Sequence, residues 1–203
     1  MIKLHHHPRS TYSRKVRITL IEKGIPFERV LIDLGKGEQK KPEYLAMNPN
    51  GKVPTLVDDG FVIFESTAIC EYLEDKFPSP SILPGDPQGR ARARMWNQYA
   101  DTQVAPAFFK VFQEVIFKKP GEGDMAKVEE GRKLIAEQIR VLDRKLEGND
   151  FVAGKQFTIG DISMMPWFGY LASVGVEPDP ACKHFAAWWE RLAGRKSFAE
   201  SAQ

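Results

Sequence analysis

The hydroxyl side chains of the segment Ser10–Arg14 are the first candidates for chemistry in this sequence. A predicted strand precedes the segment and a predicted helix follows it. A hydroxyl here would lie beside unpaired N–H groups and the positive end of the helix dipole, where it can donate a hydrogen bond to an anion such as a thiolate. A simpler alternative, in which Ser10 or Ser13 only caps the helix, stays open. No histidine and acid at a recognisable spacing point to a serine nucleophile of the hydrolase type.

Two further segments have the residues to bind a peptide-like or anionic ligand. In Asn48–Leu56, a cis bond between Val53 and Pro54 would turn the backbone N–H and C=O of Val53 outward, where they can pair with an extended ligand. A plain turn is the alternative. In Phe64–Ile69, the N–H groups and hydroxyls at the start of a helix can hold a carboxylate, and an ordinary capped helix is the alternative.

The elements that position these segments follow from hydrophobic periodicity and turn residues. Asp58-Asp59-Gly60 between two apolar runs predicts a hairpin, and Gly24 predicts the end of the first helix. The predicted order is β-α-β-α-β-β-α, a mixed α/β domain. Its strands are predicted at 2–4, 27–34, 53–57 and 61–64, and its helices at 13–22, 42–47 and 65–77.

Four prolines between Pro78 and Pro87 interrupt this pattern, because proline fixes φ and removes a backbone donor. The rest of the chain has helical periodicity alone. We therefore predict an α/β domain over residues 1–77, a linker over 78–88 and an all-α domain over 89–203. The helices of the second domain are predicted at 91–117, 125–146, 159–174 and 184–192.

Composition excludes several classes of protein. With 203 residues, 42% of them hydrophobic and 28% charged, the chain can bury a core. A formal charge of +2 gives no general attraction to nucleic acid or an anionic membrane. Cys70 and Cys182 form no C-x-x-C pair, so a dithiol redox site and a cysteine-built zinc site both lack their residues. With no signal peptide and no membrane-spanning stretch in the sequence, we expect a cytoplasmic protein.

Taken together, in this order and in these elements, the candidate segments resemble the glutathione transferase family, and in particular its serine-type, phi-like members. The resemblance spans nearly the whole chain. Its segments are Pro8–Val16, Gly37–Leu45, Asn48–Pro54, Phe64–Ile69, Val115–Lys118, Thr158–Asp161 and Trp189–Phe198.

The resemblance implies a thioredoxin-like N-terminal domain that binds glutathione and a helical domain that contributes the pocket for an electrophile. Ser10 falls at the family's catalytic serine, whose hydroxyl donates to the glutathione sulfur. A hydrogen-bond donor and a helix N-terminus both stabilise a thiolate, so the physical chemistry agrees. Val53, with Pro54 expected in the cis form, matches the residue whose backbone pairs with the cysteinyl part of glutathione.

The remaining implied contacts hold the two ends of the tripeptide. Glu65 and Ser66 match the pair that binds the γ-glutamyl ammonium and carboxylate. Gln39, Lys40 and Lys52 match positions near the glycine carboxylate, which a cation suits. Phi-like sequences often have histidine where Gln39 stands and glutamine where Lys52 stands, so this chain departs from the pattern at both positions.

The implied activity is the conjugation of a glutathione thiolate to hydrophobic electrophiles by a homodimer that needs no metal. Two alternatives stay open. One is a glutathione-dependent isomerase, dehalogenase or peroxidase of the same fold. The other is a non-catalytic member that binds glutathione or another ligand, or serves as a scaffold.

Several residues near Ser10 have no fixed role in this interpretation. Tyr12 is a poor fit for the activating hydroxyl, and Ser13 is expected to cap the first helix. His6 and His7 could line the site. Together with His5 they cannot all reach one metal ion from a strand, because successive side chains point to opposite faces.

In the helical domain, Asp161 is expected to close a capping box with Thr158, and its replacement by alanine to cost about 1–2 kcal/mol. Cys70 is expected to be a small buried hydrophobe. Six aromatic side chains are candidates for the electrophile pocket, with burial in the helical core as the alternative. They are Phe108, Phe109, Phe112, Phe117, Trp167 and Tyr170.

Overall fold

The computed structural model describes residues 1–202, which form two compact units. Unit 1 consists of residues 1–82 together with 196–202, and unit 2 of residues 83–195. This division reflects compactness, so the limits of the functional domains at residues 77 and 89 stay a prediction. None of the helices within residues 1–202 is long and apolar enough to cross a membrane.

Unit 1 contains a four-stranded mixed sheet in the order β2-β1-β3-β4. Strand β1 pairs parallel with β2 and antiparallel with β3, and β3 pairs antiparallel with β4. The predicted order of elements is confirmed, with one 3₁₀ turn, Glu38–Lys40, added before the second helix. The elements are β1 (Ile2–His6), α1 (Thr11–Glu22), β2 (Phe27–Leu31), α2 (Pro42–Leu45), β3 (Thr55–Asp58), β4 (Phe61–Phe64) and α3 (Ser66–Lys76).

Turn residues set the ends of these elements as predicted. Asp59 and Gly60 both have positive φ, 46° and 92°, which is the geometry of a tight hairpin between β3 and β4. Gly24, with φ 63°, follows the end of α1. The core of unit 1 is apolar and fully buried, and includes Leu4, Ile18, Leu20, Leu56, Ile69, Cys70 and Leu73.

A buried ion pair fixes the segment that follows α3. The Lys23 ammonium donates to the Glu74 carboxylate at 2.6 Å and to the carbonyl of Pro80 at 2.7 Å. Glu74 also accepts from the Ser81 hydroxyl and from the N–H of Ile82. Burial by itself would raise the pKa of Glu74, but the hydrogen bonds from Lys23, Ser81 and Ile82 hold it below its ordinary value. Residues 80–82 are thus held to unit 1 by polar bonds.

A short helix that the sequence pattern does not predict, α10 (Lys196–Glu200), completes unit 1 after the chain has passed through unit 2. The Arg14 guanidinium of α1 donates to the Phe198 carbonyl at 2.9 Å and to the Ser201 hydroxyl at 3.2 Å, and lies 4.2 Å from the centre of the Phe198 ring. The Ser197 hydroxyl donates to the Glu22 carboxylate. Both ends of α1 are therefore tied to this C-terminal segment.

Unit 2 is helical, and two of its predicted helices are interrupted. The predicted helix 91–117 changes to π-type hydrogen bonding over Ala100–Val104, just before Pro106, which lacks the N–H that an α-helix would use there. The predicted helix 159–174 breaks at Gly169. The helices are α4 (Pro87–Tyr99), α5 (Ala105–Val115), α6 (Met125–Leu146), α7 (Ile159–Phe168), α8 (Leu171–Val174) and α9 (Lys183–Ala193).

The predicted capping box at the start of α7 is confirmed, and Asp161 does more than cap. Its Oδ2 accepts from the N–H of Thr158 at 2.9 Å and from the Thr158 hydroxyl at 3.1 Å. Its Oδ1 accepts from the N–H of Val152 at 3.0 Å and from the Trp188 indole N–H at 2.9 Å. Complete burial raises the pKa of the Asp161 carboxyl, and these four donors oppose that rise.

Candidate active site

The three candidate segments leave the sheet at one end. In the register of the sheet, His5 near the end of β1 lies opposite Thr55 at the start of β3, and Thr55 lies opposite Phe64 at the end of β4. The chain therefore runs from this end into Ser10, arrives at it through Val53, and leaves it through Glu65. Topology thus brings to one end of the sheet predicted residues that follow Ser10 in the sequence by 43 to 56 positions.

Ser10 is the N-cap of α1, with φ −77° and ψ 118°. Its Oγ accepts a hydrogen bond from the N–H of Ser13 at 3.2 Å. The hydroxyl proton of Ser10 is not used in that bond, so it can be donated to an anion at the helix N-terminus. The cap does not exclude the chemistry, because a hydroxyl that accepts from the helix still has its own proton to donate.

The expectation that Ser13 caps the helix is wrong. Ser13 lies inside the first turn of α1, fully buried, and its N–H is the group that Ser10 caps. Its hydroxyl has no hydrogen-bond partner within the described residues. The helix begins two residues earlier than predicted, at Thr11, and places Tyr12 in its first turn.

A buried arginine supports the loop that carries Ser10. Arg17 of α1 is fully buried, which is unusual for a charged side chain. Its guanidinium donates to the Pro8 carbonyl at 2.9 Å and lies 3.3 Å from His6 Nδ1. A guanidinium has donors only, so Nδ1 of His6 is the acceptor and Nε2 carries the proton of the neutral ring. Arg17 thus joins the end of β1 to the turn before Ser10.

The histidines differ in their surroundings. His6 is 4% exposed, and burial, followed by the charge of Arg17, lowers its pKa to about 4. The His6 ring is therefore neutral at pH 7, and its Nδ1 accepts a hydrogen bond from Arg17. His7 is half-buried; its Nδ1 accepts from the N–H of Arg9 at 3.3 Å, and burial lowers its pKa. Within residues 1–202, no group of three or more histidine, cysteine or acidic side chains has an arrangement that could hold a metal ion.

Val53 presents free backbone groups. The Val53–Pro54 peptide bond is cis, as predicted. Val53 precedes β3, and within residues 1–202 neither its N–H nor its C=O forms a hydrogen bond. Pro54 is buried and Lys52 is exposed. A half-buried residue with an unused donor and acceptor is suited to pairing with the backbone of an extended ligand.

Glu65 and Ser66 lie at the start of α3. Glu65 is exposed and has a positive φ of 71°, which is uncommon for a residue other than glycine. Ser66 is the first residue of the helix and is 6% exposed. The next residue, Thr67, accepts a hydrogen bond from the buried ammonium of Lys15 at 2.9 Å. Lys15 therefore links α1, which Ser10 caps, to α3, which begins at Ser66.

Gln39 and Lys40 lie in the 3₁₀ turn that packs against the loop before Val53. Gly51 has φ 57°, and a Cβ atom there would lie 3.0 Å from the carbonyl oxygen of Gln39, so the two segments are in close contact. The Oε1 atom of Gln39 is buried and has no hydrogen-bond partner within the described residues. Lys40 is exposed.

Four buried polar residues around the site were missed as supports: Lys15, Arg17, Tyr44 and Asn48. For the two cations, Lys15 and Arg17, a signal was present: a charged residue inside an otherwise apolar run, as with Arg17 between Val16 and Ile18, can indicate a buried charge. Long-range partners such as Pro8 and Thr67 decide whether such a cation is buried or exposed, and periodicity does not contain them.

The aromatic candidates of the second domain divide between core and surface. Phe108, Phe112 and Trp167 are buried and contact one another, so they belong to the core of unit 2. Phe117 is 65% exposed. The other two rings, Phe109 and Tyr170, are half-buried.

Family models match both parts of the chain. The glutathione S-transferase N-terminal domain model matches residues 9–76 and the glutathione S-transferase C-terminal domain model matches residues 101–196. Among similar proteins, glutathione S-transferase F10 of Arabidopsis thaliana is 33% identical, with 98% of this chain and 96% of that protein covered. Glutathione S-transferase GstB of Escherichia coli K12 is 30% identical, with 96% and 94% covered.

Solved structures with a similar fold are also glutathione transferases. Glutathione transferase F7 from Populus trichocarpa superposes with a TM-score of 0.89 at 29% identity, covering 100% of this chain and 98% of that one. The theta class glutathione S-transferase from Xanthomonas axonopodis pv. citri, solved with glutathione bound, gives a TM-score of 0.91 at 27% identity, with 100% and 97% covered. The chain belongs to the glutathione S-transferase family, and the predicted family and fold are confirmed.

Proposed function

We propose that this protein is a glutathione transferase that binds glutathione, activates it as a thiolate and conjugates it to hydrophobic electrophiles. The observation that carries the proposal is the meeting of Ser10, Val53 and Glu65–Ser66 at one end of the sheet. A thiol-bearing tripeptide needs a hydroxyl that donates to its sulfur, a backbone N–H and C=O that pair with its own backbone, and a helix N-terminus that holds a carboxylate. Ser10, Val53 and the start of α3 supply these groups.

Ser10 is the proposed catalytic residue. A free thiol has a pKa of about 8.5, so only a few per cent is ionised at pH 7. A hydrogen bond from the Ser10 hydroxyl, together with the N-terminus of α1, stabilises the thiolate and lowers that pKa. Each pKa unit by which the thiol is lowered corresponds to about 1.4 kcal/mol and, near neutral pH, to about tenfold more thiolate. The thiolate then attacks the electrophile directly, without a covalent bond to the protein. In a substitution the new C–S bond replaces the bond to a leaving group such as halide, which departs with its electron pair; in a conjugate addition the carbanion formed takes a proton from water.

The rest of glutathione is proposed to bind along the same end of the sheet. The N–H and C=O of Val53, set by the cis bond to Pro54, pair with the cysteinyl residue, and Glu65 and Ser66 hold the γ-glutamyl ammonium and carboxylate. The exposed ammonium groups of Lys40 and Lys52, with the amide of Gln39, bind the glycine carboxylate. The glutathione-bound Xanthomonas relative supports glutathione as the ligand.

The proposal extends to the second substrate and the assembly. A small hydrophobic electrophile would use the apolar surface of unit 2, where Phe109 and Tyr170 keep part of their rings accessible. The protein is proposed to work in the cytoplasm as a homodimer, which is what the resemblance implies.

The test is an ultraviolet difference titration of the glutathione thiolate bound to wild type, Ser10→Ala and Ser13→Ala. The bound thiol in wild type should titrate well below about 8.5 and return toward that value in Ser10→Ala. Ser13→Ala is the matched control, because it removes a neighbouring hydroxyl that makes no hydrogen bond within residues 1–202. Loss of the cap should cost Ser10→Ala about 1 kcal/mol of stability, so folding is checked by circular dichroism.

Three results would count against the proposal in different ways. Saturable binding with an unchanged thiol pKa would favour a non-catalytic, ligand-binding member. The absence of glutathione binding by wild type would refute every glutathione-based statement. Activity confined to peroxides, haloalkanes or an isomerisable substrate, in a panel that includes aryl halides and enals, would favour the alternative reactions.

A further inference from the structure

Two buried side chains hold the carbonyl group that precedes Val53. The Tyr44 hydroxyl donates to the Lys52 carbonyl oxygen at 2.7 Å, and the Asn48 side-chain amide donates to the same oxygen at 2.8 Å. Tyr44 and Asn48 are each 2% exposed, although Lys52 itself is on the surface. Two buried donors on one loop carbonyl fix the direction of that carbonyl, and with it the orientation of the peptide group that joins Lys52 to Val53.

Thr55 closes this arrangement into a complete network. Its Oγ1 lies 2.9 Å from the Tyr44 hydroxyl and 3.2 Å from the Asn48 amide nitrogen. Tyr44 gives its only proton to Lys52, so Thr55 donates to Tyr44 and accepts from Asn48. The N–H of Asn50 donates to Asn48 Oδ1, which fixes the orientation of the Asn48 amide. Every donor in the network has an acceptor.

Holding this carbonyl also holds the N–H of Val53. The Lys52 carbonyl and the Val53 N–H belong to one planar peptide group, and the bond between them is trans. The N–H therefore points away from the two donors. Accepting two hydrogen bonds also polarises the peptide and makes its N–H a stronger donor. That N–H is unpaired within residues 1–202.

We propose that Tyr44, supported by Asn48 and Thr55, is a positioning residue that sets the affinity of the site for the tripeptide through the direction of the Val53 N–H. This inference rests on the proposed function, and it assigns Tyr44 a role in binding and none in thiol ionisation. Ser10 reaches the sulfur from another loop, and Tyr44 has no hydrogen bond to that loop among the described residues.

The experiment compares Tyr44→Phe, which removes one oxygen atom, with Tyr72→Phe as the matched control. The Tyr72 hydroxyl donates to Asp58 at 2.7 Å, at the far end of β3 from Thr55. In Tyr44→Phe we expect the Kd and KM for glutathione to rise about five- to tenfold, the effect of one buried hydrogen bond. We expect kcat at saturating glutathione and the bound-thiol pKa to stay at their wild-type values. Tyr72→Phe should leave all four quantities unchanged.

Thr55→Val is a second variant that tests the same network without touching Tyr44. It should weaken glutathione binding in the same direction, and the double variant should lose less than the product of the two single losses, since both act on one group. In the free protein labelled with ¹⁵N-valine, Tyr44→Phe should shift the Val53 amide resonance more than that of Val57, which lies inside β3.

The outcomes separate this inference from the proposed function. Wild type that fails to bind glutathione would refute the function. Wild type that binds glutathione with a lowered thiol pKa, beside a Tyr44→Phe variant with unchanged affinity and an unmoved Val53 resonance, would refute the role of Tyr44 alone. A thiol pKa in Tyr44→Phe that rises as in Ser10→Ala would also overturn it, by showing a general effect on the site.

Discussion

Replacing Asp161 with alanine would leave four buried hydrogen-bond donors without their acceptor. Helix capping accounts for about 1–2 kcal/mol, which is the cost that the sequence predicts. The structure adds the N–H of Val152 and the indole N–H of Trp188, both donating to Oδ1. A buried donor left unpaired costs about 1–3 kcal/mol, and removal of the desolvated carboxylate offsets part of the total. We expect Asp161→Ala to lower the free energy of unfolding by about 3–5 kcal/mol.

Two further variants separate the contributions of individual hydrogen bonds to this loss of stability. Asp161→Asn keeps the shape but turns one acceptor oxygen into a donor that faces other donors, so it should lose about 2–3 kcal/mol. Trp188→Phe removes one donor and leaves Oδ1 its bond from Val152, so it should lose about 1 kcal/mol beyond the effect of the smaller ring. Because Trp188 has no acceptor once Asp161 is absent, the double variant should be more stable than the sum of the single effects predicts.

Urea unfolding, followed by far-ultraviolet circular dichroism, measures these differences, and thermal melting gives their order. A loss below about 1 kcal/mol for Asp161→Ala would refute the argument. It would mean that the four donors find other acceptors or water. Strict additivity of Asp161→Ala and Trp188→Phe would refute the assignment of the indole bond.

Three further perturbations test the supports of the candidate site. Arg17→Met should lower the free energy of unfolding by about 2–3 kcal/mol and raise the bound-thiol pKa, because it frees the loop before Ser10; a stable variant with an unmoved thiol pKa would contradict this. The pKa of His6, about 4, is below its ordinary value, so the stability of wild type should fall as the pH drops from about 6.5 toward 4. His6→Asn, which keeps the acceptor, should reduce that dependence in urea titrations at pH 7 and 5. Gly51→Ala should weaken glutathione binding more than Gly37→Ala does, since both have positive φ but only Gly51 contacts a neighbouring carbonyl; equal affinities measured by calorimetry would refute this.

The elements that local chemistry determines were predictable from the sequence. Asp58-Asp59-Gly60 between two apolar runs is a strong signal for a hairpin. Met125–Leu146 has a long uninterrupted periodicity, and this helix begins and ends where predicted. The break at Ala100–Val104 was not predicted, because the residues before Pro106 keep a helical pattern whatever their hydrogen bonding.

The sequence indicated the segments that meet at the candidate site, but not the buried side chains that support them. Ser10 and Val53 stand in recognisable segments, and both are placed at the same end of the sheet. Lys15 and Arg17 are charged residues of α1, yet both are buried, because Thr67 and Pro8 supply acceptors from elsewhere in the chain. Partners so placed cannot be inferred from the polarity of one helix.

The return of α10 to unit 1 has a consequence for how the protein is made. Residues 196–202 leave the ribosome after all of unit 2. Arg14 and Glu22 therefore cannot form their hydrogen bonds with this segment until the helical unit has been synthesised. A fragment that ends at residue 82 lacks those partners however well its sheet forms. Unit 1 can therefore reach its final stability only after the helical unit has been translated, although residues 1–82 precede that unit in the chain.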